Sequence, residues 1–296
     1  MPRRRILRGV NRDLQKLHEA ARAGVALALG GGFARGFAHL GVLSVLEEHN
    51  IPIASIAGTS IGSVLGAAYA SRMRIRDILA LGRSTRFRDF GRRCVSRLGL
   101  ATNQPLGEMI RRCFAAQRFE ELSLPLAVVA TDLGTGEPVV FRQGDLAEAI
   151  RASCAFPGLF EPVKFDGRCL ADGGLVAPVP TEAAATMGAA CVVGVSVDYY
   201  QWDSAAPTNI FQLVSRAVSA AQKHQDAIWK SYASVLIEPQ LGTFGWDEFS
   251  RAEEAMAAGV DAAEKAMPRL VELLDQHERV TSMASHDSFS RTLRPS

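Results

Sequence analysis

The sequence predicts an α/β protein with three layers, in which helices cover both faces of a mostly parallel central sheet. Three observations lead to this prediction. A buried apolar run over residues 25–29 is followed by a glycine triplet and a helix. A second apolar run, over residues 53–57, is followed by a serine turn and another helix. Further short apolar runs recur to about residue 238. Such alternation of strands and helices is typical of a parallel sheet that is covered on both faces.

The first elements follow from the spacing of apolar residues. Residues 9–22 carry apolar side chains at intervals of four, three and four, which is typical of a short amphipathic helix. A helix over residues 36–49 places leucines on one face and ends before Pro52, because proline disfavours a preceding helical residue. The next strand, over residues 53–57, brings the chain to Ser60.

An arginine-rich stretch follows the serine turn. From Arg72 to Arg118 there are 12 arginines and three acids, although the net charge of the whole protein is only +2. Gly99 and Pro105 interrupt this stretch, so we expect helices and loops that cover the site. Its basic faces are expected to meet solvent, anionic headgroups or an acidic partner.

The middle of the chain contains turn signals between apolar runs. Strands are predicted over residues 125–133 and 138–141, joined by a glycine turn. Asp145 is expected to cap a helix that extends through Ala155. Residues 162–174 are predicted to form a hairpin around Asp166-Gly167, and its second strand ends at Asp172.

The last third begins with a strand predicted over residues 189–197. A long helix over residues 207–233 is expected to bury an apolar stripe, formed by Ile210, Leu213, Val214, Ala217, Ala221 and Ile228. His224 lies on this stripe and is therefore expected to be a packed core histidine. After a strand at residues 235–238, Ser250 and Glu253 form a capping box that opens the final helix.

The domain organisation follows from these elements. Residues 1–23 are expected to form a basic amphipathic segment, and residues 24–280 a single domain. Residues 281–296 are polar and are expected to be disordered.

Composition narrows the class of protein. The 296 residues are 48% hydrophobic and 22% charged, as in an ordinary globular protein. The five cysteines form no C-x-x-C pair, which predicts reduced thiols and a cytoplasmic location. The N-terminus lacks the apolar core of a secretory signal. Residues 50–71 carry no charge, but Pro52 and several glycines make them a poor membrane span. We expect no metal, no cofactor and no nucleic-acid partner.

The glycine triplet, Gly30, Gly31 and Gly32, has two nucleotide-binding interpretations that fail. A dinucleotide fingerprint would require glycine where Arg35 stands. A phosphate-binding P-loop would require lysine and serine or threonine at residues 37–38, which are phenylalanine and alanine. The remaining interpretation is a turn whose backbone N–H groups form an oxyanion receptor at a helix start.

Ser60 lies in a G-x-S-x-G pattern, in which Gly58 and Gly62 allow a sharp turn from strand to helix. This pattern predicts a nucleophile elbow. The residues alone leave the base open between two candidates. One is His224, and the other is Asp172, whose following glycines let the backbone turn away and the carboxylate reach another loop.

Four motifs in a fixed order carry a resemblance. They are GGGFARGFAHLGVL at residues 30–43, GTSIGS at 58–63, RASCAFPGLFEP at 151–162 and DGG at 172–174. Together they resemble the patatin-like phospholipases, in particular the bacterial single-domain branch, which ATDLGTGEPVVF at residues 130–141 also fits. The resemblance covers roughly residues 24–260.

The resemblance implies a dyad without histidine. Ser60 would be the nucleophile and Asp172 the base, with the N–H groups of the Gly30–Gly32 turn as oxyanion hole and Arg35 bracing that turn. Ser153 and Pro157 also match the family pattern. The resemblance implies that they help to build the surroundings of Asp172 and that Ser153 is not a second nucleophile. One departure is that residues 175–178 read LVAP, where many relatives have an asparagine.

The implied activity is hydrolysis of a lipid or fatty-acyl ester, of the esterase or phospholipase A type. Two alternatives stay open: a lipid-binding or regulatory module with the same fold, and a Ser-His-Asp α/β-hydrolase that uses His224. Peripheral contact with the anionic inner face of a membrane is a further expectation. The sequence predicts no oligomeric state.

Overall fold

The computed structural model describes residues 24–94, 96–197, 206–242, 244–245 and 247–291. The predicted helix over residues 9–22 and the basic segment 1–23 lie outside the described residues. The division into a segment, one hydrolase domain and a tail therefore stays a prediction.

The described strands and helices agree with most of the predicted ones. The strands are β1 (Val25–Leu29), β2 (Ile53–Thr59), β3 (Arg92–Arg93), β4 (Gly99–Thr102), β5 (Leu126–Asp132), β6 (Pro138–Phe141), β7 (Gly158–Phe160), β8 (Val163–Phe165), β9 (Arg168–Asp172), β10 (Cys191–Val195) and β11 (Val235–Ile237). The helices are α1 (Ala38–Glu48), α2 (Ile61–Ala70), α3 (Ile75–Ser84), α4 (Phe87–Phe90), α5 (Gln104–Cys113), α6 (Leu146–Ser153), α7 (Thr181–Ala185), α8 (Ile210–Ser231) and α9 (Ala252–Arg291). A 3₁₀ turn over Phe33–Phe37 precedes α1.

The described strands form one large sheet and one small sheet. The large sheet has the order β11-β10-β1-β2-β5-β9-β8, with β6 also paired to β5. Strands β11, β10, β1, β2 and β5 are mutually parallel, whereas β6, β8 and β9 pair antiparallel. A smaller sheet has the order β3-β4-β7. The predicted mostly parallel sheet is confirmed.

Two cores lie on opposite faces of the large sheet. Successive residues of a strand point to opposite faces, and in β1 Val25, Leu27 and Leu29 join a core with α1, α2, α6 and α9. Ala26 and Ala28 join the other core, with α7 and Trp229 of α8. The smaller alanines suit the close approach of α7. The three-layer α/β/α architecture is thereby confirmed.

The predicted hairpin is also confirmed. Strands β8 and β9 pair antiparallel through Phe165 and Arg168. Asp166 and Gly167 between them have φ angles of 48° and 74°. Two consecutive positive φ angles define the tight turn that this dipeptide favours. The turn fixes the register that brings Asp172 to the end of β9.

Helix α8 is rotated relative to the prediction, so the expected burial of its apolar stripe is wrong. Ile210, Leu213 and Ile228 are 65%, 51% and 61% exposed. His224 is likewise exposed, so it is not a packed core histidine. The opposite side faces the protein, because Gln222 and Gln225 donate hydrogen bonds to backbone carbonyls that would otherwise lose their partners.

The final helix extends further than the sequence analysis expects. Helix α9 continues through Arg291, ten residues beyond Thr281, where a disordered tail is predicted to begin. Thr281 Oγ1 donates to the carbonyl of His277 within this helix, at 2.9 Å. An α-helix satisfies its backbone groups within the segment, so polar composition alone does not end it. Residues 292–296 lie outside the described residues. Within the described part, no helix is at once long and apolar enough to span a bilayer.

Candidate active site

Ser60 occupies a strained turn between β2 and α2. Its φ and ψ angles are 52° and −125°, a conformation that costs a non-glycine residue about 1–3 kcal/mol. A Cβ atom at Gly58 would lie 2.5 Å from Cα of Ser63, and one at Gly62 would collide with the carbonyl of Leu29. Glycine is therefore required on both sides, as the nucleophile elbow predicts.

Hydrogen bonds that involve serine side chains help to hold this turn in place. The Ser60 N–H donates to Oγ of Ser153 at 2.9 Å. Ser153 Oγ in turn donates to the carbonyl of Val129 on β5 at 2.6 Å. The carbonyl of Ser60 accepts from Oγ of Ser63 at 2.6 Å. The side chain of Ser153, at the end of α6, thus fastens the elbow to the neighbouring strand.

Asp172 meets the serine from the end of β9. Ser60 Oγ donates to Asp172 Oδ2 at 2.7 Å, and both residues are buried. The other carboxylate oxygen, Oδ1, accepts the N–H of Gly174 at 2.8 Å. A Cβ at Gly173 would collide with the carbonyl of Val129. The two glycines after Asp172 therefore let the backbone pass close to β5 and supply a donor that orients the carboxylate.

The glycine turn lies opposite Ser60, at the end of the adjacent strand β1. A Cβ on Gly31 would lie 3.5 Å from that of Ser60. The Gly30 N–H donates to the carbonyl of Val195 at 3.0 Å, and the Gly31 N–H donates to that of Pro178 at 3.1 Å. This differs from the expectation that all three glycine amides face an oxyanion, because two of them already hold the turn onto neighbouring loops. Among the described residues the Gly32 N–H has no acceptor.

Two side chains support the glycine turn. His39 is fully buried on α1, and its Nε2 lies 2.9 Å from the carbonyl of Gly30. A carbonyl only accepts, so Nε2 carries the proton. Burial lowers the pKa of His39 to about 4, although the bond to Gly30 opposes this shift. Arg35 donates its backbone N–H to the carbonyl of Gly32 at 3.1 Å and its Nε–H to that of Phe244 at 3.0 Å. These bonds are the geometry expected of a bracing residue.

Comparison with known proteins settles the family. A sequence-family profile described as patatin-like phospholipase matches residues 27–185. The matched range is more than half of the chain and contains the glycine turn, Ser60 and Asp172. The chain belongs to the patatin-like phospholipase family. The family resemblance noted in the sequence is confirmed.

Individual relatives share this patatin-like region. An uncharacterised NTE family protein of Mycobacterium bovis is 38% identical over 177 residues, which are 59% of this chain and 49% of the relative. Patatin-like phospholipase domain-containing protein 6 of Homo sapiens is 34% identical over 186 residues, or 58% of this chain and 13% of the relative. The chain thus matches about half or less of each relative's length. The crystal structure of VipD from Legionella pneumophila aligns with a TM-score of 0.45 at 15% identity, over 86% of this chain and 67% of that one.

In this patatin-like protein, two cavities of opposite character meet at Ser60. One has a volume of about 100 Å³ and an apolar lining, which includes Phe33, Val64, Met109, Phe160 and Phe249. The other has a volume of about 160 Å³ and is lined by Arg35, Asp172, Ser215, Ser219 and Gln222, among others. The arginine-rich stretch covers the apolar cavity as predicted, through α3, α4 and α5. The polar face of α8 forms a wall of the second cavity.

Two residues at this patatin-like site, Cys154 and Gln222, receive no role from the sequence motifs. Cys154 lines the apolar cavity beside Ser60. Burial, and to a smaller extent the charge of Asp172, raise the pKa of its thiol far above the ordinary range, so the group stays neutral. Gln222 donates to the carbonyl of Gly174 at 2.8 Å, next to the carboxylate. Ser215, Ser219 and Gln222 recur at intervals of four and three residues on α8. This polar stripe is the sequence signal that indicates the wall of the polar cavity.

Proposed function

We propose that the chain is a lipid acyl hydrolase of the esterase or phospholipase A type, with Ser60 as nucleophile and Asp172 as base. The observation that carries the proposal is the 2.7 Å hydrogen bond between Ser60 Oγ and Asp172 Oδ2. It lies where an apolar and a polar cavity meet. A hydroxyl and a carboxylate within direct contact fulfil the distance that proton transfer requires, about 2.6–3.2 Å.

The reaction follows from the positions of these groups. Asp172 accepts the Ser60 hydroxyl proton while Oγ attacks the ester carbonyl carbon. The negative charge that develops on the carbonyl oxygen faces the Gly32 N–H and the first amides of α2, whose helix dipole also favours an anion. The carbon–oxygen bond to the alcohol then breaks, and the alcohol takes the proton from Asp172. Water hydrolyses the acyl-serine by the same steps in reverse order.

We assign the two halves of the substrate to the two cavities. The acyl chain enters the apolar cavity, where its burial releases water from hydrocarbon surface. The alcohol side occupies the polar cavity, where Ser215, Ser219 and Gln222 offer hydrogen-bonding groups. The substrate class is therefore an ester between a fatty acid and a polar alcohol, as in phospholipids, lysophospholipids and partial glycerides. The enzyme acts in the cytoplasm, in peripheral contact with an anionic membrane. The five free cysteines support that location.

A fluorophosphonate probe tests this proposal directly, because it labels an activated serine. Wild type is expected to label, Ser60→Ala not at all, and Asp172→Asn about 10²–10⁴-fold more slowly, the usual range for loss of a general base. Ser55→Ala is the matched control, since Ser55 is buried on the strand that leads to Ser60 and its Oγ has no hydrogen-bond partner among the described residues. Folded wild type that fails to label would instead favour a lipid-binding or regulatory module.

The alternative that uses His224 has its own test. This side chain is exposed on α8, two residues from Gln222, which faces the site. The variant His224→Ala is therefore expected to label and to hydrolyse p-nitrophenyl butyrate at the wild-type rate. A loss comparable to that of Asp172→Asn would restore the histidine mechanism.

A further inference from the structure

One surface of the arginine-rich stretch has no part in the proposed reaction. Among the described residues from 86 to 100, the exposed side chains are five arginines and three large apolar residues. We name this set the basic rim; it consists of Arg86, Phe87, Arg88, Arg92, Arg93, Arg97, Leu98 and Leu100. Leu98 and Leu100 are 65% and 57% exposed. Arginine and exposed leucine together are typical of surfaces that lie at a lipid–water boundary.

The positive charge of the basic rim is not neutralised by its neighbours. Within the described residues none of its five arginines forms an ion pair. Asp89 accepts the backbone N–H of Arg86 at 2.7 Å, and Glu161 faces the thiol of Cys94. Arg92 donates to the neutral Oε1 of Gln104 at 3.2 Å. Five arginines against two carboxylates leave a net positive patch.

The basic rim is continuous with the apolar cavity that contains Ser60. Phe90, within the same segment, lines that cavity. Phe87 stacks on Phe160, another lining residue, with ring centroids 6.3 Å apart and planes at 7°. In β4 the side chain of Ala101 packs inward with Phe160, and Leu100, its neighbour along the strand, points to the opposite face. The rim therefore lies beside the residues that line one side of the cavity.

We propose that the basic rim docks the protein on a bilayer that contains anionic phospholipid. The arginines pair with headgroup phosphates, and Phe87, Leu98 and Leu100 enter the acyl boundary below them. A bilayer fits better than an acidic protein, because it offers charge and hydrocarbon in successive layers and adjoins a cavity suited to an acyl chain. The purpose of this docking, to place the cavity entrance on the lipid, rests on the proposed function. The docking itself does not.

Vesicle binding tests the proposal apart from catalysis if all proteins carry Ser60→Ala. Binding is measured by co-sedimentation with vesicles of phosphatidylcholine containing 30% phosphatidylglycerol. Each basic side chain near an anionic surface strengthens partitioning about fivefold, so the triple change Arg92→Gln, Arg93→Gln and Arg97→Gln should weaken it about 100-fold. The double change Leu98→Ser and Leu100→Ser should weaken vesicle binding at least tenfold. This loss should persist at high salt, because burial of apolar side chains does not depend on charge.

The matched control removes the same charge elsewhere, with Arg142→Gln, Arg269→Gln and Arg279→Gln. It is expected to bind within about threefold of the parent, because these exposed arginines lie outside the basic rim. In a second measurement, Leu98→Trp should show a blue-shifted indole emission on anionic vesicles only.

Equal binding by the rim and control variants would overturn the proposal. So would undiminished binding to pure phosphatidylcholine, or no binding by the parent. Esterase activity on soluble p-nitrophenyl butyrate, measured with Ser60 intact, should be unchanged in the rim variants. A wild type that binds vesicles but hydrolyses nothing would refute the proposed function and leave the docking surface standing.

Discussion

The hydrogen bond from the Ser60 amide to Ser153 offers a sharp test of how the elbow is held. Ser153→Ala removes the acceptor of a buried N–H and the donor to the carbonyl of Val129. An orphaned buried donor costs about 1–3 kcal/mol, and the carbonyl adds less because it retains a second lone pair. At about 2–4 °C per kcal/mol for a domain of this size, the melting temperature should fall by roughly 3–12 °C.

Activity should fall as well, for a separate reason. The φ angle of Ser60 is 52°, a strained value that persists only while its surroundings hold it. Without Ser153 the turn is free to relax, and a displacement of about 1 Å at a reacting atom costs about 10²-fold in rate. We therefore expect kcat for p-nitrophenyl butyrate to fall by about 10–100-fold while the protein stays folded.

Ser55→Ala is the matched control for this change. Ser55 is also buried, but its Oγ has no partner among the described residues, so its removal costs no hydrogen bond. Its melting temperature should equal or exceed that of wild type, because a buried unpaired hydroxyl is unfavourable. If the two alanine variants have the same melting temperature, the hydrogen bond between Ser60 and Ser153 does not stabilise the fold. If Ser153→Ala melts lower but keeps full kcat, Ser153 does not position the nucleophile.

Three further predictions concern the glycine turn, its support His39 and the elbow at Ser60. Burial lowers the pKa of His39 from the ordinary 6.5 to about 4. Between pH 6.5 and pH 4, His39 is therefore protonated in the unfolded chain but not in the folded protein. The free energy of unfolding that His39 contributes as a neutral buried group is thus complete above pH 6.5. It declines toward pH 4, by up to about 3 kcal/mol. In urea titrations at pH 7.5 and 4.5, His39→Gln should lose less stability than wild type; equal losses would refute this. Gly62→Ala should yield little soluble protein, since its methyl meets the carbonyl of Leu29. Gly31→Ala should fold, because its methyl finds ordinary contact 3.5 Å from the Ser60 Cβ, yet lose fluorophosphonate labelling since that methyl intrudes on the crevice. A Gly31→Ala protein that labels normally would place the acyl group elsewhere.

The sequence predicts well the features that depend on local geometry. The elbow at Ser60 requires glycine on either side for steric reasons that neighbouring residues already contain. The turn at Asp166-Gly167 likewise follows from two residues that tolerate positive φ. Parallel strands then place the turns after β1 and β2 at one edge of the sheet, which is why the glycine turn and the serine are expected together. Local signals of this kind predict the two turns and their common edge. The strand order comes from the structure, and the choice of Asp172 over His224 as base comes from the family resemblance.

Hydrogen bonds between residues far apart in sequence cannot be predicted from such local signals. The amides of Gly30 and Gly31 are engaged by the carbonyls of Val195 and Pro178, which lie more than 140 residues away. A motif shows that an N–H exists but not which carbonyl reaches it. The same limit hides the hydrogen bond that the Ser60 N–H donates to Ser153, 93 residues away. Which glycine amide is available to an oxyanion is therefore a property of the folded loops.

Helix α8 shows why periodicity fixes the spacing of a face but not its direction. An apolar stripe faces inward when the neighbouring layer is hydrocarbon, since burial then releases water from both surfaces. Over the crevice the neighbouring groups are instead backbone carbonyls at Gly174 and Leu175, and each takes an amide donor from the helix. Leaving buried carbonyls unpaired would cost about 1–3 kcal/mol each, comparable to the gain from burying a leucine. The polar face therefore turns inward at a site that needs polar walls. When an amphipathic helix covers the sheet edge where a catalytic site is predicted, its orientation should therefore be predicted from the polar groups that it covers.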